Sequence, residues 1–62
     1  MGNNMCEFKV YLNGEKVLED VVFAIAEGKD IIVRDIVGTS KRLNNAHITE
    51  VNVLTTKIHL AS

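Results

Sequence analysis

Cys6 is the only cysteine in the chain, and it follows directly after Met5. If translation starts at Met5, removal of that methionine leaves Cys6 as the first residue. Its thiolate and its free amine would then form a five-membered chelate, and sulfur together with nitrogen suits late first-row metal ions. The alternative is that Cys6 is a small apolar residue that only packs at the end of a strand. The pair Met5-Cys6 therefore predicts either a metal ligand or a packing residue.

Two donors from one chain do not hold a divalent ion firmly, but a two-fold dimer presents the same two donors twice. The resulting set of two sulfurs and two nitrogens suits Ni(II) or Cu(II) in a square-planar arrangement. Tetrahedral zinc with the same donors is the competing outcome. His47 and His59 could supplement such a site, but neither has a carboxylate or a thiol at metal-ligand spacing, so we expect them to have no metal role.

No catalytic residues are expected. A nucleophilic cysteine paired with a histidine would need a third group to orient the histidine and a pocket for the substrate. A β-barrel formed by a chain of this length would be small, and its own side chains would fill its interior. The sequence therefore predicts a protein that is not an enzyme.

Arg34, Lys41 and Arg42 are the basic residues that suggest a second function. Together with the turn at 38–40 they would form a basic spot that contacts an RNA backbone. Against this, seven basic and eight acidic residues give a net charge of −1, which provides no general attraction for nucleic acid. RNA binding is therefore kept as the alternative to metal binding.

The length of 62 residues bounds the fold to one domain. A chain of this size buries only roughly 60% of the surface that its unfolded state exposes, so its core is marginal. One cysteine cannot form an internal disulfide, and we therefore expect a homodimer. The longest apolar run, 21–26, is far too short to span a membrane, and no secretion signal begins the chain. The expected location is the cytoplasm, with no membrane partner.

Hydrophobic residues recur with a period of two, which predicts strands. In the first strand Cys6, Phe8, Val10 and Leu12 share one face. Asn13-Gly14 is a hairpin signal, because both residues tolerate positive φ. Further strands are predicted at 16–19, 20–26, 31–37, 41–43, around 48–53 and at 57–60, with turns between them.

The predicted fold class is all-β, a small antiparallel β-barrel of five to seven short strands, of the size of SH3-like and Sm-like domains. Residues 5–62 form this single domain. Residues 1–4 precede it as an N-terminal extension that we expect to be disordered, or to come from an upstream start site or an addition to the natural chain.

The segments MCEFKVYL, LEDVVFAIAEGKDIIVRDIVG and ITEVNVLTTKIHL resemble the CooT family, small nickel-binding accessory proteins of carbon monoxide dehydrogenase maturation. The resemblance covers 5–60, and its most specific element is the Met-Cys start. It implies a barrel-like homodimer that binds one Ni(II) through the cysteine after the initiator of each subunit, which here is Cys6. It also implies a nickel-enzyme maturation client. Members of the family also carry the label of predicted RNA-binding proteins.

Overall fold

Six β-strands are present in the computed structural model of the chain, which describes residues 7–62. Met5, Cys6 and the predicted extension at 1–4 lie outside the described residues. The strands are β1 (Phe8–Leu12), β2 (Glu15–Glu27), β3 (Asp30–Asp35), β4 (Ser40–Leu43), β5 (His47–Asn52) and β6 (Lys57–Ala61). The predictions of an all-β fold and of five to seven strands are confirmed.

All six strands belong to one sheet in the order β4-β3-β2-β1-β6-β5. Neighbouring strands are antiparallel except β1 and β6, which are parallel, with Val10 opposite Ile58. The prediction of a closed antiparallel barrel is therefore wrong. Strands β4 and β5 lie at the two ends of this order and are not paired with each other, so both are edges of an open sheet.

The predicted hairpin turns are confirmed. Asn13 and Gly14 have φ values of 52° and 87°, and they join β1 to β2 through the pair Leu12 and Glu15. A loop with positive φ at both positions matches the right-handed twist of the strands it connects, which is why this dipeptide is effective. Gly28, with φ of 63°, turns β2 into β3.

Strand β2 is one long, bent strand, whereas the sequence predicted two short strands at 16–19 and 20–26. The bend coincides with Asp20, which has φ of 59° and whose carbonyl oxygen accepts a hydrogen bond of 2.9 Å from the amide of Ile36. Up to Val21 the strand pairs with β1, and from Val21 onward it pairs with β3. Through this bend, β2 pairs with β1 in its first part and with β3 in its second part.

The core draws on residues of β1, β2, β3, β4 and β6 and on Ala46, just before β5. It combines residues that are distant in sequence, and its buried members are Val10, Val21, Ile31, Val33, Leu43, Ala46, Ile58 and Leu60. Within residues 7–62 no helix is long and apolar enough to cross a membrane.

Candidate functional site

The predicted metal ligand Cys6 lies outside the described residues, but the structure shows where the chain that carries it joins the sheet. Phe8 begins β1, which lies between β2 and β6 at the centre of the sheet, and it pairs with Val21 of β2. On the other side, the amide of Lys9 donates a hydrogen bond of 2.8 Å to the carbonyl oxygen of Thr56, just before β6. The start of β1 is therefore held from both sides.

An apolar groove of about 250 Å³ lies at this start of β1. Its lining residues are Phe8, Val21, Val22, Phe23, Ala24, Val51 and Ile58. Val21 and Ile58 are buried, whereas Val22, Phe23 and Val51 remain 45%, 44% and 52% exposed. Because no lining residue has a polar or charged side chain, the groove suits apolar contacts.

The turn between β5 and β6 also exposes large apolar side chains. Val53 and Leu54 follow Val51 in the chain and are 63% and 96% exposed. The turn is shaped by Asn52, whose Oδ1 accepts a hydrogen bond of 3.1 Å from the amide of Thr55. Val53 and Leu54 were not among the predicted site residues, although two large apolar residues in a turn, where polar residues are usual, are a signal that can be read from the sequence.

The two histidines lie away from the start of β1. His59 stacks on Tyr11, with ring centroids 5.2 Å apart, on the sheet face opposite the core. Tyr11 is three residues beyond Phe8, a distance of about 10 Å along a strand. His47 begins the edge strand β5 and is exposed. In the described range 7–62, no three His, Cys, Asp or Glu residues are grouped so that they could hold a metal ion.

Two of the basic residues predicted for RNA contact lie on one face of the sheet. The Arg34 guanidinium carbon lies 5.4 Å from the centroid of the Phe23 ring. Arg42 forms ion pairs of 2.9 Å with Asp30 and 3.3 Å with Glu27. Part of the charge that RNA would meet is therefore already balanced within the protein.

Lys41 lies on the opposite face from Arg34 and Arg42. It pairs with the buried Val33, and its Nζ donates a hydrogen bond of 3.3 Å to the carbonyl oxygen of Val17. The structure brings Arg34 and Arg42 onto one face and does not bring Lys41 to them.

Asp30 connects two turns of the sheet. Its Oδ1 accepts a hydrogen bond of 3.1 Å from the amide of Asn45, and its Oδ2 accepts one of 2.9 Å from Nε of Arg42. The amide of Asn45, followed by Arg42, holds the pKa of Asp30 below its ordinary value of 3.8. Asp30 in turn raises the pKa of Arg42, mainly through the same hydrogen bond. These contacts give Arg42 a structural partner at neutral pH.

Comparison with known proteins places this chain in a family. The family model described as CO dehydrogenase accessory protein CooT matches residues 5–61, and no curated protein matches the chain. The match begins at Met5 and includes Cys6, all six strands and the groove. Because it spans nearly all of the 62 residues, the chain belongs to the family of CO dehydrogenase accessory protein CooT, and it is an accessory protein and not an enzyme.

Proposed function

We propose that this protein handles nickel for a nickel enzyme, as a store, a sensor or a metallochaperone. The observation that carries the proposal is the family match over residues 5–61, since CO dehydrogenase is a nickel enzyme. In this proposal residues 5–62 are the functional domain. The protein acts in the cytoplasm, where thiols stay reduced, and its partner is the enzyme that receives the metal.

The proposed ligand is Cys6, and one Ni(II) is bound between two copies of the chain. A thiolate from each subunit, together with the nitrogen of each Cys6, supplies four donors of the kind that square-planar Ni(II) prefers. The donor chemistry fits the metal, and the described residues 7–62 offer no competing group of three ligands. The nitrogen is a free amine when the chain starts at Cys6 and a peptide amide when residues 1–4 are retained.

Titration with Ni(II) under reducing conditions tests the proposal. A thiolate-to-nickel charge-transfer band is expected, and it should saturate at one metal per two chains. A form of the protein that starts at Cys6 should bind more tightly than the form that starts at Met1, because a free amine coordinates more readily than an amide.

Two variants control this titration. Cys6→Ser should abolish the band, because it removes the thiolate. His59→Gln should leave the band and the stoichiometry unchanged, because His59 stacks on Tyr11 away from the start of β1. The absence of a band in the parent, or an equal band in Cys6→Ser, would refute nickel binding by Cys6.

A further inference from the structure

The sheet face opposite the core carries a group of apolar side chains on β2 and β3. Val33 of β3 is buried in the core, so its neighbours Ile32 and Arg34 lie on the outer face. In β2, Phe23 is opposite Arg34 and Ile25 is opposite Ile32, and directly opposite residues share a face. We call Phe23, Ile25, Ile32 and Arg34 the outer patch.

The three apolar members of the outer patch are neighbours on this face. Ile25 and Ile32 are a direct cross-strand pair, and Phe23 lies two residues before Ile25 on the same strand. Phe23 and Ile25 are 44% and 46% exposed, and Ile32 is half-buried. Single apolar residues are normal on a protein surface, but contiguous ones mark an interaction site.

Arg34 gives the outer patch a positive charge that is not balanced within the described chain. Its guanidinium carbon lies 5.4 Å from the centroid of the Phe23 ring, and its Nε donates a hydrogen bond of 3.4 Å to Oγ of Ser40. Within residues 7–62 no ion pair involves Arg34, whereas Arg42 is paired with two carboxylates. A guanidinium has five N–H donors, so most of those of Arg34 remain available to an acceptor.

We propose that the outer patch docks a segment of another protein in which an apolar side chain and a carboxylate lie two positions apart in an extended chain. Ile32 and Arg34 are two residues apart in β3, about 7 Å along the strand, and an extended segment repeats that spacing. The carboxylate accepts two parallel hydrogen bonds from the guanidinium. The apolar side chain covers Ile25 and Ile32. This inference goes beyond nickel binding and does not involve Cys6.

The charges of the outer face favour this partner over RNA and over a second copy of the chain. The next cross-strand pair after Ile25 and Ile32 is Glu27 and Asp30, whose carboxylates would repel a phosphate backbone. Both carboxylates are already bound to Arg42. An outer patch that met the same patch of a second copy would therefore offer Arg34 no free carboxylate. The partner must supply its own.

Titration of the full, metal-free chain with a synthetic peptide, followed by heteronuclear NMR, tests the proposal. The probe is a short capped peptide in which one serine separates a leucine from a glutamate. Amide shifts are expected to concentrate at the outer patch and to give a dissociation constant. A matched peptide with glutamine in place of the glutamate should bind about 10-fold more weakly, because it cannot form the charge-assisted hydrogen bonds.

Variants of the protein identify the contacts. Arg34→Gln should weaken binding of the glutamate peptide about 10-fold and leave the glutamine peptide unchanged, because only the carboxylate needs the guanidinium. Ile25→Ser should weaken both peptides by about 10-fold, since it removes an apolar contact. The NMR spectrum of each free variant checks that it is folded.

Two matched controls should bind the glutamate peptide like the parent. Lys41→Gln removes one positive charge from the opposite face, because Lys41 is opposite the buried Val33. Ile48→Ser removes an isoleucine that is 46% exposed, like Ile25, but that is opposite the buried Leu60. Weakening by these controls equal to that by Arg34→Gln and Ile25→Ser would overturn the proposal.

Four other results would also overturn it. These are no shift at the outer patch at about 1 mM peptide, equal binding of the two peptides, shifts caused by a single-stranded RNA oligonucleotide and not by the peptide, and a change in the number of associated chains in Ile25→Ser, which would assign the face to contact between copies. Cys6→Ser should bind the peptide like the parent. Failure of peptide binding therefore leaves nickel binding standing, and failure of nickel binding leaves the docking surface standing.

Discussion

Thr56 offers a direct test of how the β5–β6 turn holds the start of β1. Its φ is 53°, a region that β-branched residues rarely adopt, and its carbonyl oxygen accepts the hydrogen bond from Lys9. Its hydroxyl donates a hydrogen bond of 2.6 Å to the carbonyl oxygen of Thr55. Replacing Thr56 by asparagine should relieve the backbone strain and keep the turn.

The magnitude follows from two opposing contributions. An L-residue other than Asn, Asp or Gly in the left-handed region costs roughly 1–2 kcal/mol, and asparagine tolerates that region. Loss of the exposed hydroxyl hydrogen bond costs about 0.5 kcal/mol. Thr56→Asn should therefore raise the free energy of unfolding by about 1 kcal/mol, which corresponds to a rise of roughly 4–8 °C in Tm for a domain of this size.

The assay is thermal and urea denaturation at one fixed protein concentration, because association makes Tm concentration-dependent. Thr55→Asn is the control, since Thr55 is not among the residues with positive φ. Its stability should change by less than about 0.5 kcal/mol. Lower stability of Thr56→Asn, or an equal gain in Thr55→Asn, would refute the assignment of strain to Thr56.

Three further predictions concern the core, the pH dependence and RNA. Val33→Ala removes two methyl groups from a fully buried side chain and should lower the free energy of unfolding in urea by roughly 2–3 kcal/mol; a loss below about 1 kcal/mol would contradict its central place. Because the pKa of Asp30 is lowered in the folded state, the stability it contributes is present above its ordinary value of 3.8 and is lost as the pH falls through the lower folded value. Asp30→Asn should therefore lose less stability than the parent between pH 5 and pH 2, and identical pH profiles would refute this. If the protein binds RNA through Arg34, Lys41 and Arg42, binding should weaken steeply with salt, and Lys41→Gln should matter least because Lys41 lies on the other face; salt-independent binding would exclude the basic spot.

The local structure was predictable because its signals are short-range. Asn13-Gly14 fixes a two-residue hairpin by its tolerance of positive φ, and the structure has that turn. Asn45 before the segment 46–51 is a possible helix cap, but the β-branched residues of the segment favour a strand, and the structure has β5 at His47–Asn52. Each of these predictions needed only neighbouring residues.

The arrangement of the strands was not predictable in the same way. Alternation assigns a strand two faces but does not name its neighbours, so the parallel pairing of β1 with β6 and the open edges of β4 and β5 follow only from the folded chain. Ala24 and Ala26 are small residues that alternate on one face of β2, a pattern that is typical of close packing. In the single chain both are exposed, and Ala24 lines the groove.

For the site, side-chain type was more informative than position. Cys6 stood out by its chemistry, and the structure adds the apolar groove beside the strand it precedes. The grouping of Lys41 with Arg42 neglected the alternation of a strand, which sends adjacent side chains to opposite faces. The placement of Lys41 and Arg42 on opposite faces was therefore predictable from the sequence. The ion pairs of Arg42 with Asp30 and Glu27 were not, because they depend on the pairing between strands.

Native mass spectrometry of the nickel-loaded protein tests the central claim most directly, because one spectrum gives both the number of chains and the number of metal ions. The proposed function predicts a complex of two chains and one nickel ion for the parent, and no bound nickel for Cys6→Ser. Nickel bound to single chains, or retained by Cys6→Ser, would contradict the claim that two Cys6 residues share the metal.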